Sequence, residues 1–282
     1  MNKIVILLAF LMFFSFNVDA QRNKRSKKKV AKTSQTVNNT TKETTKVPKV
    51  DPEELFFSAN KYLGGIGVTE DKAKAVELFK QAAELGHKQA KIELAGIEIC
   101  QQALLKLDEK DAQGAFQILA SACQEGSFYA NRLEAMGYDR GLFDFEGKRN
   151  KKYKLGSGLL GGLASAVVNS HVNGKAAKEQ HGLANACYRK AAEIGDLYSQ
   201  KKVGFCYLNG EKDFYTQDFT KAATLLEGPA KAGDADALYA LGVLYYSGKG
   251  VTENKEKGVQ MMRQAADFGN EEAKKKLIEL GL

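Results

Sequence analysis

The sequence predicts an all-α protein, an α-solenoid of about five antiparallel helix pairs ended by a C-terminal capping helix, on three observations. The first is composition. Three Pro, no Trp and 27 Gly among 282 residues, in a background of Ala, Leu, Lys and Glu, suit helices rather than a sheet sandwich with its β-branched runs and frequent turns. The second is a Gly that closes an Ala-rich segment five times, at Gly86, Gly126, Gly195, Gly233 and Gly269, with spacings of 40, 69, 38 and 36 residues. The third is what stands before each of these glycines. Three residues earlier comes a small side chain (Ala83, Cys123, Ala192, Ala230, Ala266), seven earlier a bulky one (Phe79, Leu119, Tyr188, Leu226, Met262) and eleven earlier another small one (Ala75, Ala115, Ala184, Ala222, Gly258). Those offsets hold one face of a 3.6-residue helix, so small groups allow close approach and a large one fills the gap.

The chain opens on an export signal. Met1-Asn2-Lys3 supplies one positive charge, Ile4 to Phe16 is a 13-residue apolar run, and Val18-Asp19-Ala20 puts small residues at the two positions a signal peptidase reads before Gln21. A membrane anchor is the competing reading, but it needs roughly 20 apolar residues and this run is shorter. No Cys follows the cleavage site to accept a lipid. Residues 1–20 are therefore expected to be a cleaved Sec-type signal peptide, leaving a periplasmic or secreted chain with no integral membrane span.

Residues 21–51 form a Lys/Thr-rich linker with almost nothing to bury and are expected to be disordered. They decide what the formal net charge of +8 means: residues 21–50 hold ten Lys or Arg against Glu43 alone, whereas residues 51–282 balance 31 basic with 32 acidic side chains. A nearly neutral folded part lacks the basic surface that specific nucleic-acid binding requires. The linker itself carries no aromatic residue among its cations to stack on bases. Contact with anionic envelope polymer or lipid through charge is its functional reading, and a solvated spacer its plain one. Asn38 and Asn39 each begin an N-x-T triplet, which matters only where the host glycosylates exported chains.

From residue 52 to 282 the repeat organises the chain. First helices carry small residues at Ala59, Ala95, Ala135, Gly204 and Gly242, with Tyr three later at Tyr62, Tyr138, Tyr207 and Tyr245. Gly follows six later at Gly65, Gly141, Gly210 and Gly248, where a helix end needs a left-handed residue. Unit two has Glu98 and Gln101 at those places, which predicts a longer or differently capped turn. Glu271 to Leu282 is the expected cap, with Ala273, Leu277, Ile278 and Leu280 facing inward. The segments Ala237-Leu238-Tyr239-Ala240-Leu241-Gly242-Val243-Leu244-Tyr245-Tyr246-Ser247-Gly248-Lys249-Gly250-Val251 and Gln264-Ala265-Ala266-Asp267-Phe268-Gly269 resemble the Sel-one-like repeat, a relative of the tetratricopeptide repeat. Gly65-Ile66-Gly67-Val68 with Lys72-Ala73-Lys74-Ala75 fits the same pattern.

Unit three carries an insertion. From the Gly ending the first helix to the small residue opening the second, the other units span 10 to 14 residues, whereas Gly141 to Ala184 spans 43. The insert, at about residues 142–182, is basic at Lys148, Arg149, Lys151, Lys152 and Lys154, then uncharged from Leu155 to Gly174. Its five Gly in those 20 residues oppose a membrane span. A partner-docking or membrane-surface element and a loop over the solenoid are the two readings. Gly156-Ser157-Gly158-Leu159-Leu160-Gly161 spells a dinucleotide-binding string, but the charged Arg149 to Lys154 before it cannot be the buried strand such a site needs, so no nucleotide cofactor is expected.

Cys100, Cys123, Cys187 and Cys206 are an even number in an exported chain, which permits disulfides. Cys100 and Cys123 fall at opposite ends of their predicted hairpin. A bridge, if one forms, would join Cys187 to Cys206 on adjacent antiparallel helices; four small buried thiols is the other reading. No Cys pair has metal-ligand spacing, and His87, His171 and His181 form no paired motif, so no metal is expected. Some cysteine-rich members of the family that this chain resembles carry a β-lactamase label, and Ser58-Ala59-Asn60-Lys61 reads S-x-x-K. Neither K-T-G nor S-D-N occurs, however, so the rest of that active site is missing.

The expectation is a non-catalytic, exported scaffold that binds a protein or peptide through the concave face of its first helices. A β-lactamase-like hydrolase, or envelope-polymer binding through the tail and insert, are the alternatives. The resemblance to tetratricopeptide repeats implies groove positions at Phe56, Asn60 and Leu63 in unit one, Ile92 in unit two, and Arg132 and Met136 in unit three. In units four and five it implies Lys201, Phe205 and Leu208, then Tyr239, Val243 and Tyr246.

Overall fold

In the computed structural model, residues 50–109, 111–140, 174–211 and 213–282 are described. The expected signal peptide, the linker through residue 49, the insert from 142 to 173 with its glycine string, and Gly141 lie outside them. Among the described residues the chain is all helical apart from one isolated bridge, Glu211 to Tyr215. Unit one is α1 (Pro52–Gly64) and α2 (Lys72–Glu84), and unit two is α3 (Lys88–Asp108) and α4 (Ala112–Gln124). Unit three is α5 (Phe128–Asp139) and α6 (Gly174–Ile194), and unit four is α7 (Leu197–Asn209) and α8 (Phe219–Lys231). Unit five is α9 (Ala235–Ser247) and α10 (Lys255–Asp267), followed by the cap α11 (Glu271–Glu279). Each helix packs on the next one in the chain, and α3 also packs on α5, the arrangement of a solenoid.

The second-helix stripe is the core. The residues eleven and seven before each anchor glycine are all buried, from Ala75 and Phe79 in unit one to Gly258 and Met262 in unit five. One turn further along, burial favours the residue four before the anchor: Ala82 and Ala265 are fully buried, while Ala83 and Ala266 beside them are only half-buried. Each anchor glycine has positive φ, between 88° and 114°, and the amide after it bonds back around the turn, as from His87 N to Ala82 O (3.0 Å) and from Asp196 N to Ala191 O (3.0 Å). That same following residue then caps the next helix through its side chain: His87, Ser127, Asp196, Asp234 and Asn270 each accept from the backbone N–H three residues on.

Two expectations about registers are corrected, and the differently capped turn expected in unit two takes a definite form. There α3 runs on past Gln101 to Asp108 and ends on Glu109 with right-handed backbone instead of on a left-handed glycine. Its small interface residue is Gly96, buried against Ser127, whereas Ala95 is exposed. In α11 Ala273 and Leu277 are buried, but Ile278 is 76% exposed: it follows Leu277 directly and so points about 100° away around the helix. The last part of the expected insert, from Gly174, is helical and lengthens α6 to 21 residues against 13 in the other second helices.

The solenoid coils tightly enough for unit one to touch unit four. Helix α1 packs on α7, and Ile66 in the loop after α1 is buried with Leu197 and Ala232. Gly67 makes this possible. Its φ is 68°, and a Cβ there would lie 2.2 Å from the carbonyl oxygen of Ala232, so no other residue fits without moving the backbone. Asn60 completes the contact by donating from Nδ2 to Gly195 O (2.7 Å) and accepting from Leu197 N (3.2 Å), which satisfies exposed polar groups of the α6–α7 turn.

Candidate functional site: the concave face

First helices supply one residue, three positions before the small interface residue, that reaches the N-cap of the next unit's first helix. In unit one Phe56 stacks on His87, with ring centroids 4.2 Å apart. In unit two, with Gly96 as the small residue, the position is Glu93 rather than the expected Ile92. The Glu93 carboxylate accepts from Ser127 Oγ (2.9 Å), Phe128 N (2.9 Å) and Tyr129 N (3.2 Å), taking up orphan amides at the start of α5. In unit three Arg132 pairs with Asp196 (3.1 Å) and also donates to Leu63 O (3.1 Å), its guanidinium lying between the rings of Tyr129 and Tyr198. In unit four Lys201 pairs with Asp234 (2.8 Å) and Asp236 (3.0 Å). Unit five breaks the series, because its following N-cap, Asn270, is held by Asp236 (2.9 Å), leaving Tyr239 outside the latch.

These latches overturn part of the expected groove. Asn60, Leu63 and Arg132 are 2%, 1% and 3% exposed, so they are interior residues rather than partner contacts. Phe56 is enclosed by His87, Phe79 and Phe128, and Met136 packs on the main core. For Asn60, Leu63 and Arg132 the cause is the closure of unit one on unit four; Phe56 and Met136 are covered by side chains of their own and neighbouring units. Lys201 is half-buried but bound to two carboxylates; burial alone would lower its pKa, and Asp234 and Asp236 raise it instead. Half-buried and outside the latches are Ile92 on α3, Met136 on α5 and a continuous strip on two helices: Phe205 and Leu208 on α7, and Tyr239, Val243 and Tyr246 on α9, of which Phe205, Leu208 and Tyr239 rest on the second core cluster. The spacing within each helix keeps each set on one face. Lys276 of α11 lies beside Tyr239 and Tyr246, and Glu279 above all holds its pKa up.

Burial also sets the chemistry of the titratable groups. Desolvation pushes Glu93 from its ordinary 4.5 to about 7, against the lowering effect of its hydrogen bonds to Phe128, Gln89, Tyr129 and Ser127. Desolvation likewise raises Asp196, opposed by Arg132 and Ser199. All four cysteines are free. The expected Cys187–Cys206 bridge is not formed: Cys187 is near Glu134, Lys190 and Cys123, while Cys206 bonds with Glu211. Cys100 is in mid-helix because α3 is long, which brings it nearer to Cys123 than the opposite ends of a hairpin would lie. Burial first, then nearby acid, pushes Cys187 to about 12 and Cys206 to about 11, and burial takes Cys100 to about 12, so these thiols are protonated and weakly nucleophilic at neutral pH. Ser58 and Lys61 sit on α1, and Ser58 makes no side-chain hydrogen bond among the described residues.

One polar cluster was invisible in sequence. His181 on α6 lies between Asp139 at the end of α5 (Nδ1 to Oδ1, 3.3 Å) and Glu211 beyond α7, which it meets through Nε2. Lys202 pairs with the second Asp139 oxygen (2.8 Å), and Phe214 packs edge-on against the imidazole. The two carboxylates approach opposite ring nitrogens, so they do not converge on one point, and no group of three His, Cys, Asp or Glu among the described residues could hold a metal ion. No described helix is long and apolar enough to cross a membrane.

A coiled stack of five helix pairs, each ended by a left-handed glycine and capped by its successor's first residue, defines a helical repeat protein. The chain belongs to the Sel1 repeat family, whose sequence model matches residues 57–87, 153–196, 197–227 and 235–270. The unmatched stretch contains the long α3. No curated protein matches the chain. Among solved structures it is similar to a protective antigen of uropathogenic Escherichia coli that displays an SLR fold, at 22% identity and a TM-score of 0.42, covering 82% of this chain and 42% of that one. This chain therefore spans less than half the length of that protein. It is also similar to a Sel1 repeat protein from Oxalobacter formigenes, at 25% identity and a TM-score of 0.39 over 57% of this chain and 95% of that one. Helicobacter pylori cysteine rich protein B gives 24% identity and a TM-score of 0.31 over 55% and 91%.

Proposed function

We propose that this chain is an exported, non-catalytic scaffold that binds an extended peptide segment of a protein partner through the strip on α7 and α9. The observation that carries the reading is the contrast within one register. Three of the groove positions in units one to three, Asn60, Leu63 and Arg132, are buried inside the array, whereas in units four and five none is, and Phe205, Leu208, Tyr239, Val243 and Tyr246 are all half-exposed. Aromatic and aliphatic side chains spaced along neighbouring helices suit alternating apolar anchors of a peptide. Membership of a repeat family supports binding over turnover, and protonated thiols and an isolated Ser58 offer no activated nucleophile. Export rests on residues 1–20, and N-terminal sequencing of the mature protein should begin at Gln21. The ten cations of the linker would add a salt-dependent attraction to anionic envelope polymer.

The test is affinity capture of partners from the producing cell's envelope fraction. Replacing Tyr239 and Tyr246 together by Ala should remove the bound partner while leaving the helical signal and melting midpoint close to the parent's. An unchanged set of partners would overturn the assignment of the strip.

A further inference from the structure

On the opposite side of the array from the concave strip, the second helices of units three and four are separated by a cleft of about 300 Å³ floored by Val203 and Tyr207 of α7. That volume is at the small end of ligand sites. The cleft exists because α8 carries short side chains where α10, at the same distances from its own anchor glycine, carries long ones: Thr220 and Thr224 stand in place of Glu256 and Gln260.

The charge at this cleft is also unlike the next one. Arg189 lines it, at the position that Glu227 takes one unit later. The Arg189 guanidinium makes no ion pair among the described residues, although Glu193 lies one helical turn away, and it sits over the ring of Tyr215 with its carbon 5.5 Å from the centroid. Tyr215 is 4% exposed, and its buried hydroxyl has no hydrogen-bond partner. Across the cleft Lys221 lies over Tyr207 (5.2 Å) and holds Asp218 only at 3.4 Å. Two cations and one acid, Glu193, therefore line a cleft whose apolar part is Val203 with Leu225, and among the described residues Arg189 has all its donors uncommitted.

We infer that this cleft captures the free C-terminus of a peptide or protein that ends in an aliphatic residue. A C-terminal residue joins a carboxylate and a side chain through one carbon, the most compact way to present both to a site of this size. The planar Arg189 fork suits the carboxylate, and Val203 with Leu225 suits the aliphatic group. The inference is independent of the concave strip, which lies on other helix faces.

The probe is N-acetyl-alanyl-leucine, titrated into the protein while the methyl resonances of Val203 and Leu225 are followed, with its C-terminal amide as the paired control. The free acid should shift both methyls, and the amide should bind at least about tenfold more weakly, the loss of one charge-assisted contact. Arg189→Gln should weaken the acid by a similar factor, and the exposed Thr224→Leu should fill the cleft and block it. The Tyr239→Ala, Tyr246→Ala protein should bind the probe as the parent does, which separates this site from the concave one. Equal binding of acid and amide, or no shift at either methyl at millimolar probe, would overturn the inference.

Discussion

Units three and four meet their successors through the same position and the same kind of ion pair, yet in different surroundings. Arg132 and Asp196 are 3% and 0% exposed, whereas the Lys201 side chain retains 27%, its N-cap partner Asp234 9% and its second partner Asp236 60%. A buried pair that loses one member leaves the other charge without water or counter-ion; an exposed pair that loses one leaves a solvated ion. The comparison teaches that one latch position can serve as a fully interior strut in one unit and as a half-buried, water-reachable contact in the next. Arg132→Ala should therefore destabilise by about 3–5 kcal/mol in urea unfolding, with amide exchange rising first in α1, since unit one leans on α7. Lys201→Ala should cost less than the Arg132 change, because Lys201 and Asp236 stay in contact with water and Asp234 keeps its bond to the Ala237 amide. Equal losses would mean that the two latches are equally desolvated.

The periodicity contained the array but not its latches. Anchor glycines and the residues seven and eleven before them are set by local helix geometry and close approach, so they recur in sequence with the repeat. What Phe56, Glu93, Arg132 and Lys201 touch lies 31, 34, 64 and 33 residues further on, and each pair uses different chemistry: stacking, carboxylate to hydroxyl and amide, guanidinium to carboxylate, ammonium to carboxylate. A repeat pattern records which positions meet, not how each meeting is satisfied. Unit two hid its latch further, because Ala95 and Gly96 are both small and only the bond from Ser127 to Glu93 selects the register. A readable signal was passed over: the residue after every anchor glycine is His, Ser, Asp or Asn, which marks it as an N-cap. The closure of unit one on unit four has no sequence signature beyond Gly67, so the interior placement of Asn60, Leu63 and Arg132 is not legible in the repeat pattern.

Glu93 sharpens the contrast in a second way, through pH. Its folded value of about 7 lies above the ordinary 4.5, so between those values the folded chain binds more protons than the unfolded one. Stability then falls as pH rises from 4.5 to 7 and levels off above, by an amount on the order of 3 kcal/mol. Glu93→Gln keeps the shape and one acceptor while removing the charge. Between pH 4.5 and 6.5 its melting temperature should decline much less steeply than the parent's, the remaining slope coming from Asp196, which burial also raises. A parallel decline in both proteins would place the titrating group elsewhere.

His181 predicts the smallest effect and the opposite sign of shift from Asp139, its neighbour. Hydrogen bonding to Asp139, then to Glu211, raises the His181 pKa above its ordinary 6.5, so its contribution is complete below 6.5 and is lost as pH rises through the raised folded value. Burial alone would raise Asp139, but His181 and Lys202 together bring it below 3.8; that contribution is present above 3.8 and lost as pH falls through the lowered value. Tyr188 and Cys206 also border this cluster, and both are held protonated by burial, so neither titrates in the window between. The cluster is thus most stabilising between pH 3.8 and 6.5. A neutral imidazole can donate to only one of its two carboxylates, so deprotonation releases either the α5 end or the segment beyond α7. His181→Gln should remove the decline in stability above pH 6.5 and leave the Glu93 window between 4.5 and 7 otherwise unchanged. Amide exchange near Glu211 and Asp139 should show the same loss locally, and a variant whose alkaline decline matched the parent's would assign that decline to another group.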